Sequence, residues 1–446
     1  MSLDTPAVLA HGIGAVQDLP VPAWLFYYGA ALVLVASFVA LGVLWKEPRL
    51  ERASERPLPP GLQRVLLSPL LRVVLGALSV ALLVLVVAAG LVGDDSPTLN
   101  LAPTFVYVVF WLGVPLLSVL LGDVWRILNP WRAAADAVAY LTARAGGDWG
   151  PSFAYPERLG VWPAAALLIA FVALELAYKP PDDPRAVAVA ALVYSWITWS
   201  GAAAFGRRAW FENGDGFSAY FGLFARMAAF GVRRGEVVLR APFSELAKGG
   251  EKAGTIALVA VVLGSVAFDG LSRTNWWEDR THTAAKATVV SINLLGLLGC
   301  IAFAASTYLA AVALARRLAA AQTDLRTAFL GSLVPIGFAY LVAHYFSLFV
   351  LQGQYILPLA SDPFHSEWDL FGTKDYVPDL TILEPATIWY VQVGALVLGH
   401  VLGLVIAHDR ALSLFSSVRS ALRAQYAMLG LMVLYTVGGM WILSRP

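Results

Sequence analysis

Charge is what this sequence has least of. Only 14% of its 446 residues are Asp, Glu, Lys or Arg, while 59% are hydrophobic. A soluble domain carries nearly a quarter charged residues, so the apolar surplus here must face lipid, and an ordinary water-soluble fold is excluded. Cysteine is almost absent. A single Cys300 rules out an intrachain disulfide framework, and inside an apolar run it reads as a small packing residue. A net charge of +1 gives no bulk attraction for nucleic acid. The first residues, MSLDTPAVLAHGIGAVQDLPVP, lack a positive leading segment and a cleavable apolar stretch, so no signal peptide is expected. Walker A, strand-linked GxGxxG, GxSxG, HExxH and CxxCH patterns are all missing. Their absence speaks against P-loop ATPases, dinucleotide-binding domains, α/β-hydrolases, zincins and c-type haem attachment.

What is present is a series of apolar runs of about 20 residues, each able to cross a hydrocarbon core of about 30 Å. Ten spans are read at 23–45, 72–92, 102–121, 159–178, 185–205, 254–272, 286–314, 329–352, 385–407 and 424–443. Basic residues test the count, because they collect in cytoplasmic connections. Alternate connections (46–72, 123–158, 207–252, 316–326 and 410–423) hold 24 of the 31 Lys and Arg. The expectation is therefore an all-α, polytopic integral membrane helix bundle in the cell membrane, with the lipid bilayer as its partner and both termini outside. It reads as one transmembrane domain, with an outer arm at 1–22, a cytoplasmic loop at 207–252 and an outer loop at 353–384. Two five-span halves of opposite sense are compatible with an inverted repeat, although no residue-level similarity joins them.

Two inner connections begin Gly-Asp and continue with helical spacing, GDVWRILNPWRAAADAVAYL and NGDGFSAYFGLFARMAAFGVRR. In the second, Phe217, Tyr220, Phe221 and Phe224 fall on one face, with Arg226 beyond them. This pattern predicts a helix lying in the headgroup plane. The stretch from Glu236 to Lys252 reads as a surface loop.

Polar residues inside spans are costly and face the bundle or a wet cavity. In the outer half these are Glu175, Asp269, Asn293, His344, Gln352 and Gln392. His400 lies deeper, with His408 and Asp409 at the inner exit. Four of the six histidines, His11, His282, His344 and His365, fall on the outer side, near Asp269, Asp279 and Asp362. Histidine and carboxylate are common ligands of zinc and similar ions. One reading is a divalent-metal site built from His344, His365, His282, Asp269, Asp279 and Asp362. His344 also reads as an interhelical hydrogen-bonding group or as a proton-relay residue. Glu175, Asn293, Gln352 and Gln392 form the candidate lining of a polar cavity.

Several segments together resemble a family of membrane proteins from high-GC bacteria named fenitrothion hydrolase. They are AHGIGAVQDLPVPAWLFYYGAALVLVASFVALGVLWKEPRL, GDVWRILNPWRA, GDGFSAYFGLFAR, FDGLSRTNWW and AHYFSLFVLQGQYILPLASDPF. The resemblance runs from the N-terminal arm to the ninth span. It implies hydrolysis of an organophosphorus triester at the P–O–aryl bond, and it carries no assigned catalytic residues. A bound metal would serve such chemistry by activating water and stabilising the phosphoryl oxygen. Two other readings compete: a transporter or permease for a small solute, and an accessory subunit of a membrane complex.

Overall fold

Among the described residues, 23–443 of the computed structural model, ten helices are long and apolar enough to cross a membrane. The chain is an all-α polytopic bundle, as the apolar runs require. With no water in the bilayer core, each backbone N–H and C=O must find its partner within the segment, and the helix achieves this. His11 and Asp18 lie outside the described residues.

Helix α1 spans Ala23–Leu44. A short α2 (Pro60–Leu66) leads into α3 (Pro69–Val92), which Ser68 caps by accepting from the Leu71 N–H. The third span is composite: α4 (Leu101–Thr104), a nine-residue π-helix (Phe105–Gly113) and α5 (Val114–Leu121). Next come α6 (Trp125–Leu128), α7 (Pro130–Arg144), α8 (Trp162–Leu176) and α9 (Pro184–Phe205). Helices α10 (Arg207–Asn213), α11 (Gly216–Ala225) and α12 (Ser244–Ala247) are short. The second half holds α13 (Thr255–Ser272), α14 (Asn275–Thr281) and α15 (Lys286–Leu318). It ends with α16 (Leu330–Leu351), α17 (Ile356–Ser361), α18 (Pro385–Leu414) and α19 (Val418–Leu443). Helices α15, α18 and α19 run past their apolar stretches into charged ends, so the hydropathy boundaries fall short there.

Helices α16 and α18 pack with their backbones nearly touching. A Cβ at Gly399 would sit 2.2 Å from Ala339 Cβ and 2.8 Å from the Pro335 carbonyl; one at Gly403 would sit 2.6 Å from the Ser332 carbonyl. The spacing Gly399–x–x–x–Gly403 is the small-residue pattern that lets membrane helices approach closely.

Strands β1 (Arg56–Pro57), β2 (Phe230–Arg233) and β3 (Glu236–Leu239) form a small antiparallel sheet in the order β1-β3-β2. The stretch 236–252 is thus strand and helix rather than surface loop, and Val238, Leu246 and Ala247 are buried. Ion pairs tie it down: Lys248 to Glu55 at 2.6 Å and Arg233 to Glu245 at 2.7 Å. The segment after α1 is held by Asp409, which accepts from the backbone N–H groups of Arg49, Leu50 and Glu51 and from Trp45 Nε1. These contacts gather the connections after α1 and α9 and the end of α18 on one face of the bundle.

The headgroup-plane helix requires correction. Phe217, Tyr220, Phe221 and Phe224 of α11 are all at most 5% exposed. The Tyr220 ring stacks on Trp111 at 4.4 Å, Phe217 meets Phe110 at 4.6 Å edge-on, and Phe224 meets Phe338 at 5.5 Å. Arg226 turns to Glu251 at 2.7 Å and the Glu245 carbonyl at 3.2 Å, not to phosphates. An apolar stripe at helical spacing says only that the face is buried; here protein covers it instead of lipid. By contrast, α7 buries Ala135 and Ala139 and exposes Val138, Tyr140 and Leu141.

Candidate functional site

Three spans pool their ionisable groups at one place. Asp269 on α13 is 1% exposed, and both of its oxygens are engaged. Oδ2 meets His344 Nε2 at 2.7 Å and accepts from the Tyr345 hydroxyl at 2.9 Å, both on α16. Oδ1 accepts from Arg273 Nη2 at 3.1 Å and Nε at 3.2 Å, one turn further along α13. The Tyr345 hydroxyl also lies 3.5 Å from Oε1 of Glu175 on α8, which is 5% exposed. The result is a line, Glu175–Tyr345–Asp269–His344, with the half-exposed Arg273 at its open end. Groups of this kind at membrane depth mark proton or substrate pathways. Each link is a hydrogen bond between groups that can give or take a proton.

Beyond His344 lies a small cavity of about 20 Å³ lined by Gly270, Tyr340, Gly439 and Ile442 among others. That volume is enough for one water molecule. The glycines keep it open, because a Cβ at Gly439 would collide with the Tyr340 hydroxyl at 2.2 Å.

A second feature sits on the other side of α8 and α16. A cavity of about 1330 Å³ runs between α3, the π-helix, α8, α9 and the end of α16. Its deep wall is aromatic and buried (Phe110, Trp125, Trp131 and Phe217). Its mouth is made of exposed apolar side chains, Leu82, Leu117, Val189, Val193 and Leu357. Helix α8 serves both features: Phe171 and Leu174 line the cavity while Glu175 faces the network. Helix α16 does likewise, with Tyr345 in the network and Phe349 on the cavity wall. The π-helix contributes Phe105, Val106, Val108, Val109, Phe110 and Gly113 to the wall. π-Helical turns recur at functional sites.

A polar clamp meets the cavity at Tyr194. Asp215, at the start of α11, accepts from Asn129 Nδ2 at 2.8 Å, from the Ser218 hydroxyl at 2.6 Å and from Tyr194. Asn129 also caps α7 through the Arg132 N–H at 2.9 Å. The two Gly-Asp segments noted in the sequence therefore meet each other.

The remaining candidates are dispersed. His282 and Asp279 are exposed on or beside α14, and His365 is exposed in the loop after α17. Asp362 is half-buried and accepts from the Ser366 N–H at 2.8 Å. Of the six proposed metal ligands, side-chain hydrogen bonds join only Asp269 and His344, and among the described residues no three His, Cys, Asp or Glu side chains gather as a metal-ion site. The other four lie outside the spans, Asp279 and His282 at α14 and Asp362 and His365 in the loop after α17. The proposed polar cavity is dispersed as well: Glu175, Asn293, Gln352 and Gln392 do not line the large cavity. Asn293 accepts from Trp277 Nε1 at 2.9 Å, Gln352 is half-buried at the end of α16, and Gln392 Nε2 is buried without a partner. Tyr345, the link between the two carboxylates, is not among the residues that the sequence singled out, although it follows His344 directly. Its signal was the shared helix face. The Asn129–Asp215 clamp had the paired Gly-Asp starts as its signal.

Comparison with protein-family models, with curated proteins and with solved structures gives no match.

Proposed function

We propose that this chain is a proton-coupled membrane permease that takes a small hydrophobic solute from the bilayer into its lateral cavity. The observation that carries this reading is the line Glu175–Tyr345–Asp269–His344, assembled from three spans and buried beside that cavity. Two helices are shared between the features. A change in proton occupancy at Glu175 or Tyr345 shifts α8 or α16, and both helices form cavity wall. The solute enters laterally, because the mouth is apolar. The face bearing the sheet and most Lys and Arg lies in the cytoplasm, and both termini lie outside, in keeping with the split of basic residues.

A second reading is hydrolysis of a neutral aryl phosphotriester. The sequence resemblance favours it, as does the His344–Asp269 pair beside a water-sized cavity. There His344 would take a proton from water as the water attacks phosphorus and the P–O–aryl bond breaks. This reading ranks second because His344 and Asp269 do not line the cavity large enough for a triester.

The test uses purified protein in phospholipid vesicles under a potassium diffusion potential, with an internal pH dye. The wild type admits protons faster than protein-free vesicles, and Glu175→Gln removes the excess. Equal rates in wild-type and protein-free vesicles overturn the permease reading. Turnover of fenitrothion by the same vesicles would then put the second reading in its place.

A further inference from the structure

The large cavity carries information about what fills it. Its lining is almost wholly apolar, and its polar side chains cluster toward the ends. Along α9 it extends from Arg185 to Ile197, thirteen residues, or about 18 Å from end to end at the helical rise. One leaflet contributes about half of a hydrocarbon core of about 30 Å. The cavity therefore matches the length of an acyl chain lying along the helices, and its mouth opens where such chains are found.

The polar end at the start of α9 has a definite charge balance. Asp183 lines it, but its carboxylate is committed to capping α9, accepting from the Ala186 N–H at 3.0 Å. Asp182 stands beside Lys179, which feels its charge. Arg185 lines the cavity and is exposed, with no side-chain ion pair or hydrogen bond among the described residues. The Lys286 ammonium lies 5.8 Å from the ring of Tyr178, another lining residue. Arg185 and Lys286 are thus two cations at this end without a carboxylate partner among the described residues.

We propose that the cavity binds an anionic phospholipid, with an acyl chain between α3 and α9 and its phosphate at Arg185 and Lys286. This rests on reading the cavity as the solute site and widens the solute class from a small hydrophobic molecule to an amphiphilic lipid. Charge-assisted bonds from guanidinium to phosphate are strong and directional, and two cations at this end repel the ammonium of a zwitterionic headgroup, which gives the preference for a lipid of net negative charge.

The test incubates detergent-purified protein with an equimolar mixture of phosphatidylglycerol and phosphatidylcholine carrying identical chains. Native mass spectrometry then reads what stays bound. The wild type retains phosphatidylglycerol over phosphatidylcholine by about tenfold, because the choline cation is repelled where Arg185 and Lys286 stand. The Arg185→Gln/Lys286→Gln protein retains lipid with that preference lost. Gly113→Leu fills the cavity beside Phe349, whose ring a Cβ at Gly113 would meet at an ordinary contact distance of 3.8 Å, and Ala190→Trp fills it from α9; both lose the lipid. Retention without headgroup preference, or preference unchanged in the double variant, overturns the anionic assignment and leaves the cavity reading standing. Lipid retained equally by both filled proteins shows that it binds elsewhere and overturns the site itself. Retained phosphatidylglycerol without proton entry into vesicles would instead count against the permease reading alone.

Discussion

Replacing Tyr345 by Phe deletes one oxygen and keeps the ring. That hydroxyl donates to Asp269 Oδ2 at 2.9 Å and lies 3.5 Å from Glu175 Oε1. The first contact is a full hydrogen bond to an ion-paired carboxylate, worth about 1.5–3 kcal/mol. The second is at the limit of hydrogen-bonding distance and adds little. Asp269 keeps His344 and Arg273, so the loss falls near the lower end of that range, while Glu175 is left buried without its tyrosine. We expect Tyr345→Phe to cost about 2 kcal/mol. The assay is reversible unfolding by sodium dodecyl sulfate in mixed micelles, run as a double-mutant cycle. Tyr345→Phe and Asp269→Asn should be non-additive by about 1 kcal/mol or more, because they remove the same bond. Tyr345→Phe and Gln392→Leu should add to within about 0.5 kcal/mol, having no shared partner. An additive Tyr345/Asp269 pair would refute the claim that these groups form one network.

Other consequences follow from the packing and from the sheet-bearing face. Asp409→Ala removes the acceptor for three backbone N–H groups and Trp45 Nε1. It should cost about 3 kcal/mol or more and free the 45–51 segment, seen as rapid amide exchange there. Gly399→Leu forces a side chain into Ala339 and the Pro335 carbonyl and should destabilise by about 1–3 kcal/mol or more, read in the same unfolding titration; an unchanged midpoint would contradict the α16–α18 contact. Glu55 has its pKa held below the ordinary value of 4.5, chiefly by its hydrogen bond to Lys248. A lowered carboxylate pKa stabilises above the unfolded value and loses that contribution as pH falls through the folded one. Docking of β1 should therefore persist above about pH 4.5 and weaken below it. Amide exchange at the Leu58 N–H, which donates to the Val237 carbonyl, compared at pH 4 and pH 7 against intrinsic rates, checks this.

The ten spans were legible because lipid demands long apolar runs, and runs of that kind survive without any tertiary knowledge. Their ends were less legible, since α15 and α18 continue on hydrogen bonding alone once outside the apolar zone. The aromatic stripe of α11 was visible, but hydrophobicity does not say whether lipid or protein covers it, and here the composite third span does. At the site, Asp269, Glu175 and His344 stood out as polar residues in spans. Their convergence did not, because it depends on how α8, α13 and α16 cross. His282 and His365 looked like partners of His344 only because they share a side in the linear order. The π-helix between Pro103 and Pro115 and the cavity it walls had no pattern in the sequence that spacing could reveal.

The central claim is that cavity and network act together, and the most direct measurement separates them. Gly113→Leu fills the cavity without touching any ionisable group. Its potential-driven proton entry in vesicles should fall to the level of Glu175→Gln. Proton entry at the wild-type rate, in a Gly113→Leu protein shown to have lost its bound lipid, would contradict the account.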